Sequence, residues 1–183
     1  MMIRKACISD FDTVTSFYDE VIDELKNLRH HPDWKKGIYP NRNLIENLIS
    51  RNVLYLAEEK GSISGAFVLD ENSNPEYCSV KWSTDAAMDE CLVIHLFAVR
   101  IKERGKGTAD MLLAHAVREA SDAGRKAVRL DVLEGNNTAD RFYLRNGFKY
   151  IDTISMYYED TGTVMFNMYE YAIDGAKKGH GKG

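Results

Sequence analysis

Apolar positions recur along the chain with two spacings. Phe11, Val14, Phe17, Tyr18, Val21, Ile22, Leu25 and Leu28 fall three or four residues apart, as one face of a helix requires. Ser9 or Asp10 can cap its start. Pro32, Gly37 and Pro40 in HPDWKKGIYP break the pattern, and NRNLIENLISRN resumes it as a second helix. Ahead of both, the bounded stretch MIRKAC reads as a first strand. VLYLAEEKGSISGAFVLD reads as two strands around a turn near Lys60 and Gly61. Residues 71–90 are polar and irregular, a loop or an extension of that hairpin. Cys91–Val99 is nearly all apolar, which fits a strand covered on both faces. In TADMLLAHAVREASDAG, Ala109, Leu112, Leu113, Ala116, Val117 and Ala120 share a helical face that Gly124 ends. KAVRLDVL is a further strand. NNTADRFYLRNG is a short helix capped by Asn136 or Asn137, with Gly147 at its end. FKYIDTISMYYE and TVMFNMYEYAI form two last strands around DTG.

The order is therefore β, α, α, β, β, β, α, β, α, β, β. It predicts an α/β chain with a mixed sheet, hairpins in the first half and crossover helices in the second. There is no internal repeat and no second core, so residues 1–173 are expected to form one domain. The glycine- and lysine-rich tail 174–183 is expected to be disordered.

Composition narrows the function classes. The chain has 183 residues, a formal net charge of -4 and 44% hydrophobic residues, enough for a sizeable core. Mild acidity argues against non-specific nucleic-acid binding, which depends on neutralising phosphates. Cys7, Cys78 and Cys91 form no CxxC pair, which fits free thiols in a reducing compartment. No metal site is expected: only His30 and His31 are close in sequence, and adjacent side chains do not face one ion. No apolar run has the length of a membrane span, and MMIRKACISDFD has no signal-peptide pattern, so the expected location is cytoplasmic.

The stretch VRIKERGKGTA, Val99–Ala109, carries the candidate chemistry. It lies between a buried strand and a helix start, where backbone N–H groups converge and the helix dipole is positive, an arrangement suited to an anion. Gly105 and Gly107 let a phosphate reach the backbone. Arg100, Lys102, Arg104 and Lys106 are expected to surround it with positive charge. A P-loop is excluded, since GxxxxGK[ST] is absent. The dinucleotide fingerprint fails too, because Asp110 stands at its third glycine, although Asp131 would suit its acidic position.

Two further patterns identify a resemblance. Arg104-x-x-Gly107-x-Ala109, preceded by LFAV, resembles the R/Q-x-x-G-x-G/A element of the GNAT superfamily of acetyl-CoA-dependent N-acetyltransferases. NNTADRFYLRNGFKY resembles that family's second motif through Asn136, Ala139, Phe142, Tyr143, Gly147 and Phe148. The motifs cover residues 93–150, and the element order extends the likeness over nearly the whole chain. The resemblance implies a GNAT-like fold, a central mixed sheet with two splayed parallel strands, Cys91–Val99 and Lys126–Leu133. It implies acetyl-CoA as co-substrate, its pantetheine arm lying in the cleft and its pyrophosphate on the amides of Arg104, Gly105, Lys106, Gly107, Thr108 and Ala109.

In that frame a backbone N–H at Phe97, Ala98 or Val99 would polarise the thioester carbonyl. Tyr143 would protonate the leaving thiolate, and Asn136 would hydrogen-bond the CoA arm. For the general base His95 is a candidate, sharing the face of Phe97 if the strand is regular; Glu90 and water are rivals. The family tends to build its acceptor pocket between the first two helices, so Trp34 and Tyr39 are candidate substrate contacts. The expected reaction is acetyl transfer to a primary amine of a small molecule or a peptide, direct and in a ternary complex, since no cysteine has an evident base partner. Two rivals stay open: a non-catalytic acyl-CoA sensor on the same fold, and an ATP-binding protein using the same loop. The last two strands could also serve a homodimer contact.

Overall fold

The computed structural model describes residues 1–26, 28, 32–158 and 162–173. Its strands are β1 (Met2–Lys5), β2 (Leu54–Glu59), β3 (Ser62–Asp70), β4 (Cys91–Val99), β5 (Ala127–Leu133), β6 (Lys149–Tyr158) and β7 (Gly162–Ala172). Its helices are α1 (Phe11–Leu25), α2 (Arg42–Ser50), α3 (Thr108–Asp122) and α4 (Asn137–Arg145). The element order is the one the periodicity predicts. His30, His31, the DTG turn up to Thr161 and the tail from residue 174 lie outside the described residues.

All seven strands join one sheet in the order β1-β2-β3-β4-β5-β7-β6. Every pairing is antiparallel except β4 with β5, which are joined through α3 as a parallel pair must be by a crossover. On one face, α1 and α2 pack through Val14, Phe17, Tyr18, Val21, Ile45 and Leu48. Burying each such large apolar side chain stabilises by roughly 1.5–3 kcal/mol. On the other face, α3 and α4 cover Phe67, Ile94, Val128, Leu130 and Val132. The loop between β3 and β4 has two short 3-10 turns, Pro75–Ser79 and Met88–Glu90. It covers β4, β6 and β7 through Tyr77, Val80 and Trp82, packed on Val93, Met156 and Met168.

Three local features differ from the sequence expectation. Neither Ser9 nor Asp10 caps α1 with its side chain; Asp10 instead accepts from the Cys7 amide at 2.8 Å and from Arg4 at 2.7 Å. Helix α1 ends at Leu25, short of Leu28. Strand β4 is not regular. Leu96 has φ +49°, and Leu96 and Phe97 together oppose Phe67 alone, a β-bulge. The buried Tyr18 hydroxyl donates to the Leu96 carbonyl at 2.9 Å and holds the bulge in place.

The bulge shapes the centre of the molecule. β4 and β5 pair only from Cys91 with Ala127 to Val93 with Arg129. Beyond that Ile94–Val99 and Leu130–Leu133 run on without pairing to each other, and a cleft opens between them. Gly65 on β3 lets α3 sit against the sheet beside this cleft: a Cβ there would lie 2.7 Å from Leu112 Cδ1 and 2.9 Å from the Ala98 carbonyl.

Candidate active site

A cavity of about 380 Å³ occupies the cleft. β4 contributes Ile94, His95, Leu96 and Phe97, and β5 contributes Asp131, Val132 and Leu133. Asn136, Ala139 and Tyr143 line it from α4, Trp34 and Tyr39 from the α1–α2 connection, and Phe166 from β7. The predicted catalytic pair, the predicted aromatic contacts, Asn136 and Phe97 thus share one cavity. Ala98 and Val99 lie just past it on β4, and Arg104–Ala109 follow where the strand leads into α3.

The glycine loop has the backbone its sequence calls for. Gly105 and Gly107 have φ +76° and +82°, and no side chain caps α3. Helix bonding starts with the Met111 amide on the Gly107 carbonyl. Among the described residues nothing accepts from the amides of Gly105, Gly107, Thr108 and Ala109, the orphan donors of a helix start. A Cβ at Gly105 or Gly107 would meet nothing within 4 Å, so the space before these amides is open. Thr108 is 1% exposed, and its Oγ1 has no hydrogen bond with a described residue. The charge around the loop is thinner than expected. Arg100 turns away to Glu20, to the Ile63 carbonyl at 2.8 Å and to the Phe17 ring. Lys106 pairs with Glu103 at 3.2 Å. Arg104 and Lys102 stay exposed.

Asn136 caps α4: its side-chain oxygen accepts from the Ala139 amide at 3.3 Å, which leaves its NH₂ group available to the cavity. Tyr143 is wedged among Phe97, Phe142, Phe148 and Tyr169. Its hydroxyl makes no hydrogen bond with a described residue. Burial pushes that hydroxyl well above the usual tyrosine range, and the Asp131 carboxylate adds to the shift.

The candidate bases separate clearly. Glu90 lies at the closed end of the cleft, not in the cavity. It is bound to Lys126 at 2.6 Å, which holds its carboxyl below the usual range, so it is not placed to take a proton from an acceptor. His95 does line the cavity, but not on the face of Phe97 as a regular strand would have it. The bulge puts His95 opposite Val68, on the α1 side, while Phe97 packs with Phe67 on the other. His95 Nε2 is 2.8 Å from the Asn72 carbonyl. A carbonyl only accepts, so Nε2 carries the proton and Nδ1 is the basic nitrogen.

Asp131 and Tyr77 are site features that the motifs did not single out. Tyr77, fully buried, donates to Asp131 Oδ1 at 2.7 Å. Burial raises the Asp131 carboxyl above its ordinary value, against the opposing effects of Tyr77 and of nearby His95. One signal was present: Arg129 and Asp131 are polar residues at alternate positions of an otherwise apolar strand. Among the described residues, no group of three or more His, Cys, Asp or Glu side chains is arranged to hold a metal ion. No described helix is long and apolar enough to cross a membrane.

Solved structures similar to this chain include acetyltransferases. A GNAT-family acetyltransferase from Streptococcus agalactiae superposes with a TM-score of 0.74 at 21% identity, over 94% of this chain and 95% of its own. One from Listeria monocytogenes gives 0.72 at 20% identity, over 94% of each chain. The Salmonella typhimurium protein yncA, solved with its cofactor acetyl-CoA, gives 0.68 at 17% identity, over 95% of this chain and 94% of its own. No curated protein sequence matches significantly. The model of the acetyltransferase (GNAT) family matches residues 15–148, a span that holds the bulged strand, the glycine loop and Tyr143; the chain belongs to the GNAT acetyltransferase family.

Proposed function

We propose that the protein moves an acetyl group from acetyl-CoA to a primary amine of a small molecule or peptide, directly and in a ternary complex. One observation carries the reading: the splayed strands and Tyr143 line one cavity, and β4 leads from it to the orphan amides at the start of α3. The residues fit the co-substrate. The amides of Gly105, Gly107, Thr108 and Ala109 suit a pyrophosphate, with Arg104 and Lys106 beside them. From Ile94 onward β4 has a free edge suited to the amides of a pantetheine arm, and the Asn136 NH₂ group is a further donor. The acetyl-CoA of the Salmonella relative supports the same choice.

Acetyl-CoA supplies an acetyl group activated as a thioester. His95 takes one proton from the bound ammonium and passes it to solvent, freeing the nitrogen lone pair. A backbone N–H of Phe97–Val99 polarises the carbonyl as the C–N bond forms and the C–S bond breaks. Tyr143 gives its proton to the departing sulfur, and the second proton lost by the nitrogen restores the phenol. Burial holds Tyr143 in its acid form, and the same burial raises the basicity of the thiolate it protonates. Incubation of acetyl-CoA with a broad amine panel, read as free thiol, tests the reading. Release with at least one amine is expected. Acetyl-CoA binding without release would instead identify a sensor, and displacement of CoA by ATP would identify a nucleotide site.

A further inference from the structure

The walls of the cavity constrain the acceptor, and this inference rests on the transfer reading above. Asp131 Oδ1 accepts from the Tyr77 hydroxyl, and the carboxylate accepts from no other described side chain. A carboxylate has room for several donors, and one in a poorly hydrated wall gains most from a cationic one. Its raised carboxyl is in keeping with this, since an arriving cation removes the penalty that burial imposes. A second carboxylate, Asp33, stands at the α1–α2 connection, paired with Lys35 at 3.8 Å. Trp34 and Tyr39 add flat aromatic surface to the same cavity. Among the described residues no lysine or arginine lines the cavity. An acceptor carboxylate would meet the like charge of Asp131 there and lose its water.

We infer that the acceptor is a small primary amine, carried as an ammonium ion on an apolar or aromatic body with no carboxylate beside the amine, and that Asp131 receives the ammonium. Free α-amino acids are then poor substrates, and the corresponding amines good ones.

The test is thiol release from acetyl-CoA with matched pairs, phenethylamine against phenylalanine and pentylamine against norleucine. Phenylalaninamide separates charge from bulk. Expected are kcat/KM values at least 100-fold higher for each amine than for its amino acid, with phenylalaninamide within tenfold of phenethylamine. Asp131→Asn should raise the KM for phenethylamine at least tenfold and leave acetyl-CoA affinity, measured by calorimetry, unchanged. Phenylalanine within tenfold of phenethylamine would overturn the inference while leaving transfer intact. So would an unchanged phenethylamine KM in Asp131→Asn. Should the variant fold poorly, the wild-type pairs decide alone. Bound acetyl-CoA with no thiol release from any of these amines would remove the transfer reading, and this inference with it.

Discussion

At the residue scale, Tyr143 and Asp131 illustrate opposite uses of burial. In the proposed transfer Tyr143 gives up a proton only as sulfur departs, and burial among four rings keeps it protonated until then. Tyr143→Phe keeps the packing and removes the donor. It should lower kcat about 100-fold, the scale of one general acid, with acetyl-CoA affinity unchanged by calorimetry; unaltered turnover would leave Tyr143 a packing residue. Burial opposes the charge of Asp131. Its folded pKa lies above its unfolded value, so its contribution favours the fold at low pH and is lost as pH rises through the folded pKa. Asp131→Asn removes the charge and keeps an acceptor for Tyr77. Its melting temperature should exceed the wild type's at pH 8. The gap should close below about pH 3, where the carboxyl is neutral even when unfolded.

At the element scale, the proposed anion site belongs to the start of α3 rather than to the basic side chains near it. Arg100 is spent on Glu20, and the open space lies before the amides. Gly107→Glu should therefore abolish acetyl-CoA binding, by placing a carboxylate where the proposed pyrophosphate would lie. Its φ of +82° also penalises any side chain, so Gly107→Ala is the control. Alanine should cost about 1 kcal/mol of stability and retain most binding. Equal loss in both variants would assign the effect to backbone strain. Denaturant unfolding and calorimetry measure the two quantities. The helices and most strands were legible here because their apolar positions repeat over many residues. The bulge was not legible: a single left-handed Leu96 leaves no periodic trace in an apolar run, and it reversed the expected relation of His95 to Phe97.

At the scale of the whole molecule, a buried ion pair ties the β3–β4 loop to the sheet. Arg129 and Glu170, both with fully buried side chains, pair at 2.9 Å across β5 and β7. Glu170 also accepts from the Ser83 hydroxyl at 2.7 Å and the Thr84 amide at 2.8 Å, while Trp82 lies over the Arg129 guanidinium. Burial pushes the Glu170 carboxyl up, but these hydrogen bonds outweigh it and the net shift is downward. The anchored loop is what brings Tyr77 to Asp131. Arg129→Met leaves Glu170 unpaired and should cost about 3–5 kcal/mol, measured by denaturant unfolding. Adding Glu170→Met should recover most of it. No recovery would mean that the loop depends on Glu170 itself.

By itself the sequence determined the order of elements, the glycine loop at a helix start and the motif that carries Tyr143 and Asn136. Each of these is a local pattern, set by spacing or by the conformational freedom of glycine. Only the tertiary structure decided which side chains meet. The splay of β4 from β5, the separation of Glu90 from the cavity and the approach of Tyr77 to Asp131 across 54 residues follow from strand pairing and loop packing. Such contacts join residues far apart in the chain, and no short stretch of sequence encodes them.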